Sequence, residues 1–295
     1  MQDRQPESKG SAPEHRGKEK LPIGKKVAEE DDYEPPAEIE TDIVRGDIYQ
    51  LGRHRVMCGD STNKEDVERL MQGKKARLFA TDPPYGVAYG VETGNDIKYN
   101  PIENDENDGM KLQTFLESVF IACLPHLEDN AAWYLWHAQM TQGFFAAAAA
   151  AAAAADVLIH RQIIWVKPTL IMGHGDYHWK HELCFYGWRK GHRAEWYGDR
   201  KQTTVWEVGR ENDHIHPTQK PVELFANPLN FNTKHGDIAL DPFLGSGTTL
   251  IACEQLDRIC YGMEISPHYC EVICQRWEKL TGGKRLKING VDATT

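Results

Sequence analysis

Apolar positions along the chain fall into two periods. Short apolar runs from Arg55 to Cys58, Ala76 to Thr81, Ala131 to Trp136, Ile163 to Val166 and Leu183 to Tyr186 predict strands. Asp237 to Asp241 and Ile259 to Met263 read the same way. Between them apolar residues recur at three- and four-residue spacing. Val67, Leu70 and Met71 predict a helix capped by Thr62 or Asn63, and Leu112 to Leu124 predicts a second. Leu250, Ile251, Cys253 and Leu256 mark another, with further helices from Pro221 and from His268 to Leu280. Ten consecutive alanines, Ala146 to Ala155, predict helix by propensity alone and suggest no chemistry. Strands alternating with helices in both halves predict an α/β fold with a doubly wound, mostly parallel sheet.

Two stretches break this regularity. Residues 1–40 hold a lysine cluster from Lys18 to Lys26, an acidic run from Glu29 to Glu34, and few large apolar side chains. Such a segment is expected to be a disordered leader, with the folded part beginning near Asp42. Its eleven acids against seven bases favour a solvated leader over a nucleic-acid-binding tail. Gly86 to Met110 is rich in Gly, Asn, Asp and Glu without a period, a length expected of a lid or a disordered segment. Over its 295 residues the chain is 40% hydrophobic and 26% charged, the composition of a globular enzyme. No apolar run approaches the roughly eighteen residues of a membrane-spanning helix, and the Met1 end is too polar for a secretory signal. Seven cysteines without a Cys-x-x-Cys pair favour free thiols in a reducing, cytoplasmic setting. A net charge of −10 argues against a uniform nucleic-acid coat, though not against a local basic face.

Two constellations carry chemistry. Asp82-Pro83-Pro84-Tyr85 closes a predicted strand, where functional sites of open α/β sheets lie. The prolines remove two donors and leave carbonyls free, so a carboxylate and a carbonyl can grip both hydrogens of an exocyclic amine. Tyr85 offers a face for a planar base. Taken alone, the four residues read better as a strand-ending turn. The second constellation, Asp241-Pro-Phe-Leu-Gly-Ser-Gly-Thr-Thr, joins a predicted strand to a helix, and its glycines allow a ligand close to backbone N–H groups. It lacks the P-loop lysine, so a nucleoside with a small charged tail suits it better than a triphosphate. Glu264 ends the next strand 23 residues after Asp241, where dinucleotide folds place a ribose-binding acid.

Asp82-Pro-Pro-Tyr, then His216-Pro217-Thr218-Gln219-Lys220-Pro221, then Asp241-Pro-Phe-x-Gly-x-Gly resembles the S-adenosylmethionine-dependent DNA amino-methyltransferases. Catalytic motif before cofactor motif is the circularly permuted order of their β-class, and the resemblance runs from about Asp47 to Arg276. It implies a Rossmann-like methyltransferase sheet with an inserted target-recognition region. The divisions become a leader at 1–40, a catalytic half at 41–155, target recognition at 156–219, and a cofactor half at 220–295. The stretch 40–85 also resembles the methylase half of prophage proteins fused to a partition-type domain.

The resemblance further implies roles. Asp82, Pro83, Pro84 and Tyr85 hold the target amine and stack the base. Asp241, Phe243, Gly245, Ser246, Gly247 and Thr248 form the cofactor turn, which Asp82 borders. Glu264 takes the ribose hydroxyls, Asp60 lies near the adenine, and Thr218, Gln219 and Lys220 meet the methionine carboxylate. The loop with Asn104-Asp105 is similar to the family's mobile lid. S-adenosyl-L-methionine is the implied cofactor and double-stranded DNA the implied partner, with a homodimer and a cognate restriction endonuclease as further candidates. Asp before Pro-Pro-Tyr goes with adenine N6 in this family, Ser with cytosine N4, and Asn with amide methylases of protein or RNA. A catalytically dead DNA-binding regulator is the rival of another class; the intact Asp82, Tyr85, glycine turn and Glu264 argue against it.

Over residues 156–235 eleven Lys/Arg stand against nine Asp/Glu, so the region is locally positive on an acidic chain. Lys180, Arg189, Lys190, Arg193, Arg200 and Lys201 interleave with Trp179, Tyr186, Trp188, Trp196 and Tyr197, as a DNA-binding face would. About half of these residues are expected to be a solvated face over aromatic core. His174, His178 and His181 suggest zinc, but Gly173 and Gly175 argue against the helix their spacing needs, and no metal is expected. His181-Glu182 reads as structural. No Pro-Cys nucleophile of the ring-carbon methylases occurs, and Cys270 and Cys274 read as core.

Overall fold

The structure, a computed structural model, describes residues 27–36, 39–86, 109–152, 157–172, 176–209 and 220–289. Strands β1 (Ile48–Leu51) and β2 (His54–Cys58), helix α1 (Lys64–Met71) and β3 (Ala76–Thr81) come first. Helix α2 (Gly109–Cys123), β4 (Leu127–His137), α3 (Gln142–Ala152), β5 (Val157–Ile171), β6 (Trp179–Arg189) and β7 (Val205–Glu207) follow. The chain continues with α4 (Val222–Asn232), β8 (Ile238–Asp241), α5 (Thr248–Gln255), β9 (Ile259–Glu264), α6 (Pro267–Thr281) and β10 (Leu286–Lys287).

Period-two alternation becomes a two-sided sheet. In β3, Leu78 and Ala80 enter one hydrophobic cluster and Phe79 the other. In β4, Ala132, Tyr134 and Trp136 face the first cluster, while Ala131, Trp133 and Leu135 face the second. Side chains of α4, α5 and α6 fill the first cluster, and those of α1, α2 and α3 fill the second. The sheet is therefore covered on both faces, as its apolar strands require. Its order is β10-β1-β2-β9-β8-β3-β4-β6-β5-β7. The five strands β2-β9-β8-β3-β4 are mutually parallel, and antiparallel pairs extend them on both sides. Chain order reverses between β8 and β3, which opens a crevice at their carboxyl ends.

The expected parallel, doubly wound core is present. Short strands β1, β7 and β10, at or next to the sheet edges, escaped the sequence reading because two to four residues carry no period. Ala146 to Ala152 are helical in α3, and Ala148 and Ala149 are buried against the second cluster. Ala153 to Ala155 and the segment 87–108, with Asn104-Asp105, lie outside the described residues.

Two boundaries change. The part of the expected leader that the structure describes is packed, not loose. Residues 1–26 lie outside the described part, but 27–36 pack on the folded body, with Ala28 and Tyr33 buried. Glu29 exchanges hydrogen bonds with Gln255 of α5, the Tyr33 hydroxyl meets Gln275 of α6, and Asp31 pairs with Arg276. The Glu30 carboxylate accepts from the Val222 N–H, capping the α4 start that Pro221 leaves without a side-chain cap. Charged residues read as solvated are here bonded to partners far along the chain. The second change concerns the target-recognition region. Most of its first half is the long β5–β6 ribbon, which pairs with β4 and completes the sheet.

Candidate active site

The four acids assigned to the base and cofactor sites lie at or just beyond the carboxyl ends of parallel strands. Asp82 follows β3, Asp241 ends β8, Glu264 ends β9, and Asp60 lies two residues past β2. The Thr81 hydroxyl donates to Asp241 Oδ1 at 2.7 Å, bridging the crevice where strand order reverses. Asp241 also accepts from Thr249 Oγ1 at 2.5 Å and the Phe243 N–H at 3.0 Å. Burial pushes its carboxyl up to about 6 despite these donors. It braces the strand end and the turn.

The turn departs sharply from β8. Gly245 and Gly247 have φ of +53° and +90°, a region costly for residues with a Cβ. A Cβ on Gly245 would meet nothing within 4 Å, so open space lies beside this backbone. Glu264 closes the far side, accepting from the Gly245 N–H at 2.9 Å and the Ser266 N–H at 3.0 Å. Burial pushes this carboxyl up to about 7, against the backbone donors. The Gly59 N–H donates to the Glu264 carbonyl, which sets Asp60 beside the same strand end. Phe243 leans on Phe115 of α2 with centroids 5.9 Å apart.

Across the crevice, both Asp82 oxygens are engaged. Tyr85 donates its hydroxyl to Oδ1 at 2.6 Å, and the Lys220 ammonium donates to Oδ2 at 2.5 Å. Lys220, only 4% exposed, also reaches the Tyr85 hydroxyl at 2.8 Å and Glu182 Oε2 at 3.0 Å. Lys167 of β5 pairs with the other Glu182 oxygen. Burial, with Glu182 nearby, raises the Asp82 carboxyl above its ordinary value, while Lys220 and Tyr85 oppose the rise. Burial also drives the Glu182 carboxyl upward, but the two lysines outweigh it and leave the group at about 2. Lys220 is the reverse case: burial disfavours its charge, and the two carboxylates hold its value above the ordinary one. The Tyr85 phenol is raised well above 10 by burial and the adjacent carboxylates, so it remains a donor. Its ring rests edge-on against Phe145 of α3.

A family model described as DNA methylase matches residues 76–275, from β3 through most of α6. The chain belongs to this N6/N4 DNA methylase family. Among individual methylases, M.HpaI of Haemophilus parainfluenzae is 36% identical over 96 residues, 31% of this chain and 28% of that one. M.Cfr9I of Citrobacter freundii is 35% identical over 99 residues, 33% of each chain. The matched stretch thus spans about a third of these relatives' length. Solved structures share the fold. M1.HpyAVI superposes with a TM-score of 0.55 at 21% identity, over 75% of this chain and 96% of that one. The cytosine-N4-specific PvuII DNA methyltransferase gives 0.55 at 12% identity, over 82% and 97%.

Within this chain, the structure brings most of the expected site residues together. Asp82, Pro83, Pro84 and Tyr85 stand at the crevice with Asp241, Phe243, Gly245, Ser246, Gly247, Thr248 and Glu264. Thr218 and Gln219 lie outside the described residues, as does His174. Lys220, expected beside the cofactor's methionine end, places its ammonium on the Asp82 carboxylate. Glu182, read as structural, belongs to the site through Lys220. His137 was missed. It ends β4, is fully buried, and receives a hydrogen bond from Gln162 at 3.0 Å while its Nδ1 faces the Ala138 carbonyl. Burial pushes its imidazole down to about 4, so it is neutral at pH 7.

The six basic residues do not form one patch. Leu183 pairs with His137, so Lys180 lies beyond the carboxyl edge, on the Asp82 side. Arg189 is at the other end of β6, nine residues and about 30 Å away, and pairs with Asp129 at 2.7 Å. The loop carrying Lys190, Arg193, Arg200 and Lys201 packs against the carboxyl end of α4, where Tyr197 N–H donates to the Phe231 carbonyl and Trp196 covers the Phe231 ring. Trp188 is core and Trp196 half-exposed.

Proposed function

We propose that this chain transfers a methyl group from S-adenosyl-L-methionine to the N6 amine of an adenine in double-stranded DNA. The observation that carries the reading is the crevice itself: a Pro-Pro-flanked carboxylate, Asp82, tied through Thr81 and Asp241 to a glycine turn closed by an acid. The turn fits the cofactor. Open space beside Gly245 would admit it close to the backbone, Glu264 would hold its ribose hydroxyls, and Asp60 would lie near its adenine. When bound, the cofactor supplies an electrophilic methyl group on a sulfonium.

The protein supplies orientation and charge. Flipping the base costs about a few kcal/mol of unstacking, offset by its new contacts. Tyr85 presents its ring to the base, which requires its hydroxyl to leave Asp82. Asp82 Oδ1 and the Pro83 carbonyl then take the two amino hydrogens, drawing the nitrogen lone pair out of the ring and toward the methyl carbon. As the nitrogen–carbon bond forms, the carbon–sulfur bond breaks and its electron pair stays on sulfur. The nitrogen sheds one proton. Asp82 is the acceptor at hand, because Lys220 is already protonated and its charge is held by two carboxylates. Asp at the head of the turn supports adenine, and the M1.HpyAVI complex with S-adenosylmethionine shows that the shared fold can hold this cofactor.

Mass spectrometry of nucleosides from DNA of a host expressing the chain should show N6-methyladenine, lost in Asp82→Ala. N4-methylcytosine alone would transfer the assignment to cytosine. No methylated nucleoside from a folded chain that binds the cofactor would overturn the reading.

A further inference from the structure

Four charged groups alternate in sign across the strand ends: Lys167, Glu182, Lys220 and Asp82. Glu182 takes Lys167 on one oxygen and Lys220 on the other, and Lys220 passes the chain to Asp82 at 2.5 Å. Neither Glu182 nor Lys167 has a part in the transfer as described above. Their arrangement bears on Lys220. An ammonium with Asp82 as its single counter-ion would direct its whole attraction to the carboxylate that must exchange partners when the amine arrives. With Glu182 Oε2 at 3.0 Å on the other side, its charge is shared between two carboxylates.

We propose that Glu182 is a positioning residue for methyl transfer, holding the Lys220 ammonium between two carboxylates so that Asp82 can release a donor and accept the target amine. This rests on the assignment of Asp82 as the amine-gripping group. Electrostatics adds a signature. The groups acting on Asp82 are Lys220, Glu182 and Tyr85, with Asp241 across the crevice and Cys184 on β6. Those acting on Lys220 are Asp82, Glu182, neutral His137, and the rings of Tyr85 and Trp136. Glu182 is one of the groups raising the Asp82 carboxyl, so its removal lowers that value. Activity requires ionised Asp82, hence the acid limb of the rate profile moves to lower pH.

The test is Glu182→Gln, with Glu182→Asp as the conservative variant. In the Gln variant kcat should fall about 10- to 100-fold, the scale of a misplaced catalytic group, while KM for the methyl donor and for DNA changes less than about twofold. Its acid limb should shift downward, and Glu182→Asp should recover most of kcat and the original limb. Glu182→Gln with Lys167→Gln removes one charge of each sign, and it should show the same shift if the single variant does not fold. Wild-type kcat with an unmoved limb in a folded variant lacking Glu182 would overturn the proposal. Wild-type chain unable to methylate DNA would instead strike at the function itself.

Discussion

Asp31→Ala tests whether the segment 27–36 belongs to the machinery. Arg276 is 1% exposed and the Asp31 side chain 4%, and the guanidinium meets Oδ2 through Nε at 2.8 Å and Nη2 at 2.6 Å. Removing one partner of a buried ion pair costs about 3–5 kcal/mol, because the remaining charge is stranded away from water. Arg276 keeps the Ser246 carbonyl at 3.0 Å, so the lower end applies, about 3 kcal/mol. At about 2 °C per kcal/mol for a chain of this size, the Tm should fall about 6 °C. Ser246 lies between the two glycines of the turn proposed to hold the cofactor, so part of the loss should reach binding. If half is felt there, affinity for S-adenosylmethionine weakens about tenfold. Denaturant unfolding and titration calorimetry read the two quantities. A stability loss below about 1 kcal/mol, the worth of an exposed pair, with unchanged cofactor affinity would refute the reasoning.

Two further outcomes follow from the site. With Glu264 at about 7 in the folded chain, protonation should compete with the cofactor's ribose: affinity should fall as pH drops below about 7, by up to about tenfold per unit, and Glu264→Gln should flatten that dependence in calorimetry. The same raised value makes the group's contribution to stability increase as pH falls from about 7 toward its ordinary 4.5, a slope that Glu264→Gln should remove from chemical denaturation curves. For DNA, Lys180→Ala should lower the slope of log affinity against log salt by about 0.9, whereas Arg193→Ala at the far end should leave it unchanged; the reverse pattern would place DNA on the other edge.

What the sequence made legible was local. A strand of β3's length with alternating apolar residues can be read from six positions, and Asp82-Pro-Pro-Tyr ends it on the spot. The glycine turn was equally plain, since its backbone requirement is written in the residues themselves. What stayed hidden depended on partners distant in sequence. Glu182 meets a lysine 38 positions away by numbering, and nothing in the run His181-Glu182-Leu183 announces it. Asp31 reads as one of a string of acids until Arg276, 245 residues later, accounts for it. The split of the basic residues was hidden for a different reason. A long strand carries residues ten positions apart to opposite ends of a sheet, so closeness in sequence misled about closeness in space.

These distant contacts converge on one mechanical point. The segment 27–36 touches α4 at its first N–H through Glu30, one residue after Pro221 and two after Lys220. It also touches the glycine turn after β8 at one remove, through Arg276 and the Ser246 carbonyl. The same short stretch therefore steadies both walls of the crevice: the helix start that presents Lys220 to Asp82, and the turn that would present the methyl donor. Between them the walls are joined by Thr81 and Asp241. A methyl transfer that relies on orientation, with no covalent intermediate to correct its geometry, gains most from such bracing, because a displacement near 1 Å can cost about a hundredfold in rate. Holding that geometry is work for buried ionic contacts: Asp31–Arg276 through two directional hydrogen bonds, and Glu182–Lys220 through opposite charges 3.0 Å apart.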